Sequence, residues 1–234
     1  MSFKFRHFSI NDDASSMKVG TDAVLLGAWA GHPAPSHILD IGTGSGLIAL
    51  MMAQRFGKSH IVGIDIHQAS AIQAGENFKL SDWSPRLDAR NISLQEYAQQ
   101  ADKKYDLIVS NPPFFNDSLL PPDSKKALAK HTRALSFKEM ANCVSILLAE
   151  DGIFTLILPV LDQLHFEQEA SQTGLYKKRE LIITPVTGKS PNRIISEWAL
   201  VRRKTQSRHL IIRKDQNNYT EAYIRLTSEF YLAL

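Results

Sequence analysis

Only one cysteine, Cys143, occurs in 234 residues, so no disulfide can form within the chain. That excludes the small disulfide-stapled secreted scaffolds. The apolar run FKEMANCVSILLA around Cys143 marks it as a small buried hydrophobe rather than a nucleophile or ligand. Long hydrophobic stretches are lacking too: no run of about 18 apolar residues is present to cross a bilayer. The opening MSFKFRHFSINDD has neither the apolar core nor the small-residue cleavage site of a secretory signal, and a cytoplasmic protein is expected. Internal repeats, low-complexity tracts and a Pro/Ser-rich linker are also absent, which favours one domain over an array or two balanced halves.

What is present is the composition of a globular chain, 44% hydrophobic and 22% charged, long enough to bury a sizeable core. The net charge of +3 conceals an asymmetry. Residues 176–214 hold eleven Lys/Arg against two acids, so the remainder of the chain is six charges negative. Such segregation suits a partner with a phosphate backbone, and equally a solvated charged face.

From about residue 37, strand-like apolar runs alternate with helix-like ones. HILDI (37–41), IVGID (61–65), a weaker strand within 86–92, YDLIVS (105–110) and GIFTLILP read as strands, with helices between them. The alternation predicts an α/β fold with a doubly wound, mainly parallel sheet. RELIITPV and IISEWALVRR, joined through Gly188 and Pro191, are expected to pair antiparallel at one edge of it. The single domain then divides into a covering segment (1–36), a Rossmann-like core (37–205) and a C-terminal appendage (206–234). Residues 111–133 are too many for an ordinary connection and read as a functional loop.

The first strand turns into its helix through Asp40-Ile41-Gly42-Thr43-Gly44-Ser45-Gly46. Glycine there lets the backbone approach a ligand closely and take angles closed to other residues. A dinucleotide fingerprint, G-x-G-x-x-G, needs a small residue where this chain has Leu47; the spacing is G-x-G-x-G instead. It resembles the first motif of class I methyltransferases. That resemblance implies a loop around the amino-acid part of S-adenosylmethionine, lined by Gly42, Gly44 and Gly46, with Asp40 holding the ammonium. Asp65 ends the second strand about 20 residues further on, where nucleoside-binding folds keep an acid that accepts from both ribose hydroxyls. An acid in that place also serves as a helix cap.

Asn111-Pro112-Pro113-Phe114 follows YDLIVS directly. In a doubly wound sheet the carboxyl end of this fourth strand lies beside the first, across the topological switch point. An exocyclic amine conjugated to a purine is a poor nucleophile. A site that uses it must accept hydrogen bonds from both amino protons and leave the nitrogen lone pair facing the methyl group. The Asn111 side-chain oxygen and the Pro112 carbonyl supply such acceptors, the prolines fix the backbone, and Phe114 offers a face for stacking an extruded base. The pattern resembles the N-P-P-[FY] motif of methyltransferases that act on planar amino groups.

Over nearly its whole length the chain resembles the bacterial methyltransferases that modify the adenosine 3′ of the anticodon in valine tRNA. The resemblance rests on FKF-x-x-F-x-I (3–10), KVGTDAVLLGAW, DIGTGSGLIALMMAQR, NPPFF, and the terminal D-Q-N-N-Y-T-E-A-Y (215–223) with its final FYLAL. It implies S-adenosyl-L-methionine as cofactor, N6 of adenine as the acceptor, a tRNA partner, and neither metal nor membrane. It also makes Lys18, Thr21 and Asp22 candidates for contact with the methionine end, with Thr21 alternatively the cap of the helix AVLLGAWA. Relatives carry an acid after the third strand to receive the cofactor's adenine amino group. Here that place holds Ser93, so its hydroxyl or a backbone group must substitute. Lys130, His131 and Arg133, and further on Arg202, Arg203 and Lys204, are the basic residues expected to meet RNA phosphates. Release-factor glutamine methylation, DNA adenine methylation and an inactive nucleic-acid-binding module are the competing readings, and the sequence leaves the oligomeric state open.

Overall fold

The computed structural model describes residues 2–15, 17–113 and 135–232. An eight-stranded sheet organises the molecule, in the order β10-β8-β9-β7-β6-β3-β4-β5. The strands are β3 (His37–Ile41), β4 (His60–Asp65), β5 (Leu87–Asn91), β6 (Tyr105–Ser110), β7 (Leu148–Pro159), β8 (Tyr176–Val186), β9 (Arg193–Ala199) and β10 (Gln206–Arg213). All neighbours pair parallel except β9, which runs antiparallel to both β7 and β8. A separate two-stranded hairpin joins β1 (Ser2–Lys4) and β2 (Ser9–Asn11).

Side chains along the central strands alternate between two cores, as the period of two requires. Ile38, Leu107, Val109, Ile153 and Ile157 face one layer; Leu39, Ile41, Ile108, Phe154 and Leu156 face the other. The first layer holds α1 (Thr21–Trp29), α2 (Leu47–Arg55) and α3 (Gln68–Lys79), and the second holds α4 (Leu94–Gln100), α5 (Phe137–Leu147) and α6 (Val160–Gln172). Helix α2 is buried from Leu47 through Ala53 because α1 lies over it; a Cβ on Gly27 would sit 2.5 Å from the Met51 sulfur, so only glycine admits that approach. Among the described residues no helix is long and apolar enough to cross a membrane.

Thus the doubly wound, mainly parallel sheet expected from the sequence forms, and β8 and β9 make the expected antiparallel pair. They are not outermost. Gln206–Arg213, which falls in the segment set apart as an appendage, adds β10 parallel along β8. Only Leu210 of its eight side chains is buried, so the strand has no apolar alternation to announce it. The rest of 206–234 includes α7 (Glu221–Thr227), which packs on α1 and β10.

Inside the first layer, Glu197 on β9 is 1% exposed and forms a two-point ion pair with Arg179 on β8 at 2.5 and 2.6 Å. Arg179 also lies over the Trp29 ring at 4.2 Å, tying the end of α1 to the sheet. Removing one member of such a pair leaves a buried charge unmatched. Arg179→Met should therefore destabilise the fold by about 3 kcal/mol, and adding Glu197→Gln should restore part of that loss. Urea unfolding of the single and double variants checks this; strictly additive losses would show that the pair is not coupled.

Candidate active site

The carboxyl ends of β3, β4 and β6 lie side by side, and the loop leaving β3 crosses between them. Gly42, Gly44 and Gly46 all have positive φ, at 70°, 58° and 87°. At Gly46, the cap of α2, the space demands glycine as well: a Cβ would meet the Phe78 ring at 2.5 Å. The N–H groups of Gly42 and Thr43 both donate to the Ile64 carbonyl at 2.9 Å, fastening the loop to β4.

Asp40 is fully buried at the mouth of this loop. Its Oδ2 accepts from the Thr43 hydroxyl at 2.7 Å, and Thr43 in turn fills the space left by Gly63, where a Cβ would come within 2.7 Å of the hydroxyl. Its Oδ1 is buried without a hydrogen-bond partner. Burial pushes the Asp40 carboxyl from 3.8 to about 7, against the lowering effects of the Thr43 bond and the Ala49 backbone N–H, with a further small push from the neighbouring Asp65.

Asp65 closes β4 and is also buried. One oxygen accepts from Gly44 N–H at 2.9 Å and the other from His67 N–H at 2.8 Å, so this acid braces the glycine loop from below. Each oxygen keeps a second lone pair. Beside it, Asn91 at the end of β5 donates to the carbonyls of Asp65 and Ile66, each at 3.0 Å. Ile66 stands 53% exposed next to Asp65, a bare apolar surface at the pocket that the sequence reading passed over. Ser93 is differently employed than expected. Its hydroxyl bonds Glu96 Oε2 at 2.6 Å and accepts from Glu96 N–H at 3.2 Å, completing the capping box of α4. The hydroxyl's proton is committed to the helix cap, and one lone pair is left on it as an acceptor.

Asn111 follows Ser110, which pairs in register with Ile41 on β3. It therefore emerges directly beside the glycine loop. Asn111 is buried and its Oδ1 has no hydrogen-bond partner among the described residues; Pro112 is buried and Pro113 exposed. Phe114, with Phe115, Lys125, Lys126, Lys130, His131 and Arg133, lies outside the described residues.

Of the N-terminal candidates, Lys18 donates from Nζ to the carbonyls of Asp12 and Asp13, and Asp22 pairs with Arg193 Nε at 2.8 Å. Thr21 is the first residue of α1; Gly20 takes the cap position, with no side-chain bond. The cap role read from the sequence is thus not Thr21's. Arg202, Arg203 and Lys204 follow β9 as it leaves the sheet at the end where β8 begins. The active end is marked by Arg193, paired with the carboxyl-terminal Pro159 of β7. At about 3.4 Å per residue the length of β9 separates the two by about 20 Å. The antiparallel strand thus carries these three cations to the opposite end of the sheet from Asn111.

Comparison with known proteins decides the family. The methyltransferase small domain family matches residues 16–135. Two proteins named tRNA1(Val) (adenine(37)-N6)-methyltransferase, from Bacteroides fragilis and Trichodesmium erythraeum, are each 40% identical to this chain. The first alignment covers 99% of this chain and 98% of the relative, the second 98% and 97%. The chain belongs to this methyltransferase family. Solved structures agree on the fold. A predicted O-methyltransferase from Agrobacterium tumefaciens superposes with a TM-score of 0.71 at 17% identity, over 92% of this chain and 99% of that one. A ribosomal protein L11 methylase from Lactobacillus delbrueckii subsp. bulgaricus gives 0.55 at 19%, over 84% and 98%.

A methyltransferase needs a donor, and the residues present fit S-adenosylmethionine. Among the described residues Asp40 Oδ1 and Asn111 Oδ1, both buried, have no hydrogen-bond partner and stand at adjacent strand ends, and a buried acceptor left unpaired is costly unless a ligand donates to it. A Cβ at Gly42 would meet nothing within 4 Å, so the loop has open space beside it. The raised Asp40 carboxyl also has a consequence for stability. Below about pH 4 Asp40 is neutral folded or unfolded. Between pH 4 and 7 the unfolded chain ionises first, so Asp40's contribution to stability falls as pH rises through its folded value. Asp40→Asn should remove that component, and the difference in urea midpoint between variant and wild type should shift in the variant's favour from pH 4 to pH 8. A difference that stays constant with pH would show that Asp40 is not the titrating group.

Proposed function

We propose that this chain transfers the methyl group of S-adenosylmethionine to the N6 amino group of adenine 37 in tRNA1(Val), in the cytoplasm. The observation that carries the reading is Asn111 Oδ1, without a hydrogen-bond partner among the described residues, held beside the glycine loop and followed by Pro112. The shared activity in the names of full-length relatives supports the substrate. When bound, the cofactor supplies a methyl group activated by its sulfonium.

The chain's own residues do the rest. Asp40 Oδ1 receives the ammonium of the donor's amino-acid end. Asp65 uses its remaining lone pairs for the ribose hydroxyls, and Ile66 offers apolar surface beside them. Asn111 Oδ1 and the Pro112 carbonyl accept from the two amino protons of the target base. Those bonds hold the amine in place and turn its lone pair away from the acceptors, which is where an otherwise weak nucleophile gains. A separate general base is not required before transfer, since the proton can leave afterwards. Phe114 stacks the extruded base, and Lys130, His131 and Arg133 meet nearby phosphates. Lys18, Thr21 and Asp22 belong to the cover of the donor's methionine end, with Asp22 already steadied by Arg193.

Incubation with labelled cofactor and separate pools of tRNA, DNA and release factor tests the substrate, with nucleoside mass spectrometry of the product. N6-methyladenosine in tRNA1(Val) is expected; label in DNA or protein with none in unmodified tRNA would overturn the assignment. Asn111→Ala should bind S-adenosylmethionine as the wild type does yet lose transfer by roughly two orders of magnitude or more, the scale of removing one oriented polar group. Turnover near the wild-type rate would remove Asn111 from this role.

A further inference from the structure

Residues 11–15 run over the glycine loop, and what keeps them there is a pair of side-chain amides one turn apart on α3. Asn77 is 1% exposed and uses its whole amide. Its Oδ1 accepts from Asn11 N–H at 3.0 Å, and its Nδ2 donates to the Asn11 carbonyl at 2.7 Å and the Ser45 carbonyl at 2.8 Å. It thus joins the strap and the glycine loop through one group. Four residues earlier, on the same helix face, buried Gln73 accepts from Ala14 N–H at 2.7 Å and Ser15 N–H at 3.0 Å through Oε1. Ser15 is itself buried, and a Cβ on Gly44 would come 3.2 Å from its hydroxyl, so strap and loop are in contact. The strap continues under Val19, whose N–H donates to Asp12 Oδ2 at 2.9 Å.

Polar side chains buried on a helix face bury at a loss unless their partners are supplied, and among the described residues the hydrogen-bond partners of Gln73 belong to the strap. None of these bonds helps to form α3. We propose that Gln73 and Asn77 are positioning residues for donor capture: they fix 11–15 against the glycine loop before S-adenosylmethionine arrives and so build one wall of its pocket. This rests on the glycine loop being the donor's site. A wall already ordered removes from binding the entropy loss of ordering it, so loosening the strap weakens affinity while leaving the chemistry at Asn111 alone.

Gln73 offers a clean test because the two bonds use only its oxygen. Gln73→Met keeps the size and loses the acceptor; Gln73→Glu keeps an acceptor for the same two N–H groups. Three readouts apply: hydrogen exchange at Ala14 and Ser15 in cofactor-free protein, calorimetric Kd for S-adenosylmethionine and its demethylated product, and steady-state tRNA methylation. Gln73→Met should speed exchange and raise Kd and KM about tenfold, the equivalent of one net hydrogen bond, with kcat within about twofold. Gln73→Glu should stay within about threefold of wild type on every measure, a rescue that a space-filling role does not give. Wild-type exchange and Kd in Gln73→Met overturn the proposal. So do equal losses in both variants at an unchanged melting temperature. If Gln73→Met does not fold, weak donor binding by a natively melting Gln73→Glu overturns it. A wild type that bound neither ligand while its Ala14 amide stayed protected would overturn the donor site itself, a distinct failure.

Discussion

The positive φ angles at Gly42, Gly44 and Gly46 persist because the loop that carries them is held from several sides. Ile64 takes the N–H groups of Gly42 and Thr43, Asp65 takes that of Gly44, and Asn77 takes the carbonyl of Ser45. Gly46 then starts α2 pressed against Phe78. Glycine lowers the cost of positive φ but does not choose that conformation, since an isolated glycine is as free to take the other sign. The choice is made by β4 and α3. This explains why the same acid that would receive a ribose also braces the loop: one carboxylate, with two lone pairs on each oxygen, serves both. It also explains the unusual state of Asp40. Thr43 fits into the gap at Gly63 and satisfies one oxygen, and the surrounding core excludes water from both.

The two ends of the chain cooperate in holding the strap. Phe5 stacks on Phe8 with ring centroids 4.7 Å apart, and both Phe3 and Phe5 lie against Tyr231. Arg6 donates its backbone N–H to the Phe230 carbonyl at 2.8 Å and its Nε to that of Tyr231 at 2.7 Å. The opening FKF-x-x-F and the closing aromatic segment are therefore one packed unit, although more than 200 residues separate them in sequence. The D-Q-N-N-Y stretch between them and β10 is a local fold of its own: Asp215 Oδ1 accepts from the N–H groups of Asn217 and Asn218, and Arg213 lies over the Tyr219 ring at 4.1 Å. Its signature reads as architecture, since its polar groups are spent on one another.

What the sequence makes legible is what depends on neighbours along the chain. Asp40, the glycines, Asp65 and the Asn-Pro-Pro step each sit at the end of an apolar run, and period and punctuation locate them. That they meet follows from the doubly wound arrangement the alternation implies, in which the fourth strand of the alternation lies beside the first. Gln73 and Asn77 carry no such mark: two amides in an amphipathic helix look like solvated residues until the strap from 60 residues away is folded over them. β10 is missed for a related reason, because an edge strand with one buried side chain and several charges is patterned for solvent. Ser93 carries a role that the sequence also marks: Glu96 three residues on completes a capping box with it, and the S-x-x-E spacing shows that in the sequence itself.

Charge is the property for which linear order says least. The basic run over 176–214 looks like one patch, yet β9 reverses direction within it and divides it between the two ends of the sheet. Arg193 goes to the active end, where it pairs with Asp22, and Arg202 to the other, where it lies 5.8 Å from the Tyr176 ring centre. Arg179, in the same run, is turned inward to Glu197. Arg213 reaches the active end but is folded onto Tyr219 and the Gln216 carbonyl. The strand reversal thus divides the positive charge of this run between the two ends of the sheet, and of its cations at the active end Arg193 is matched by Asp22. On the proposed function, specificity for the nucleic-acid substrate falls to the hydrogen-bonding groups at Asn111 and Pro112 rather than to charge, whose reach is set by screening.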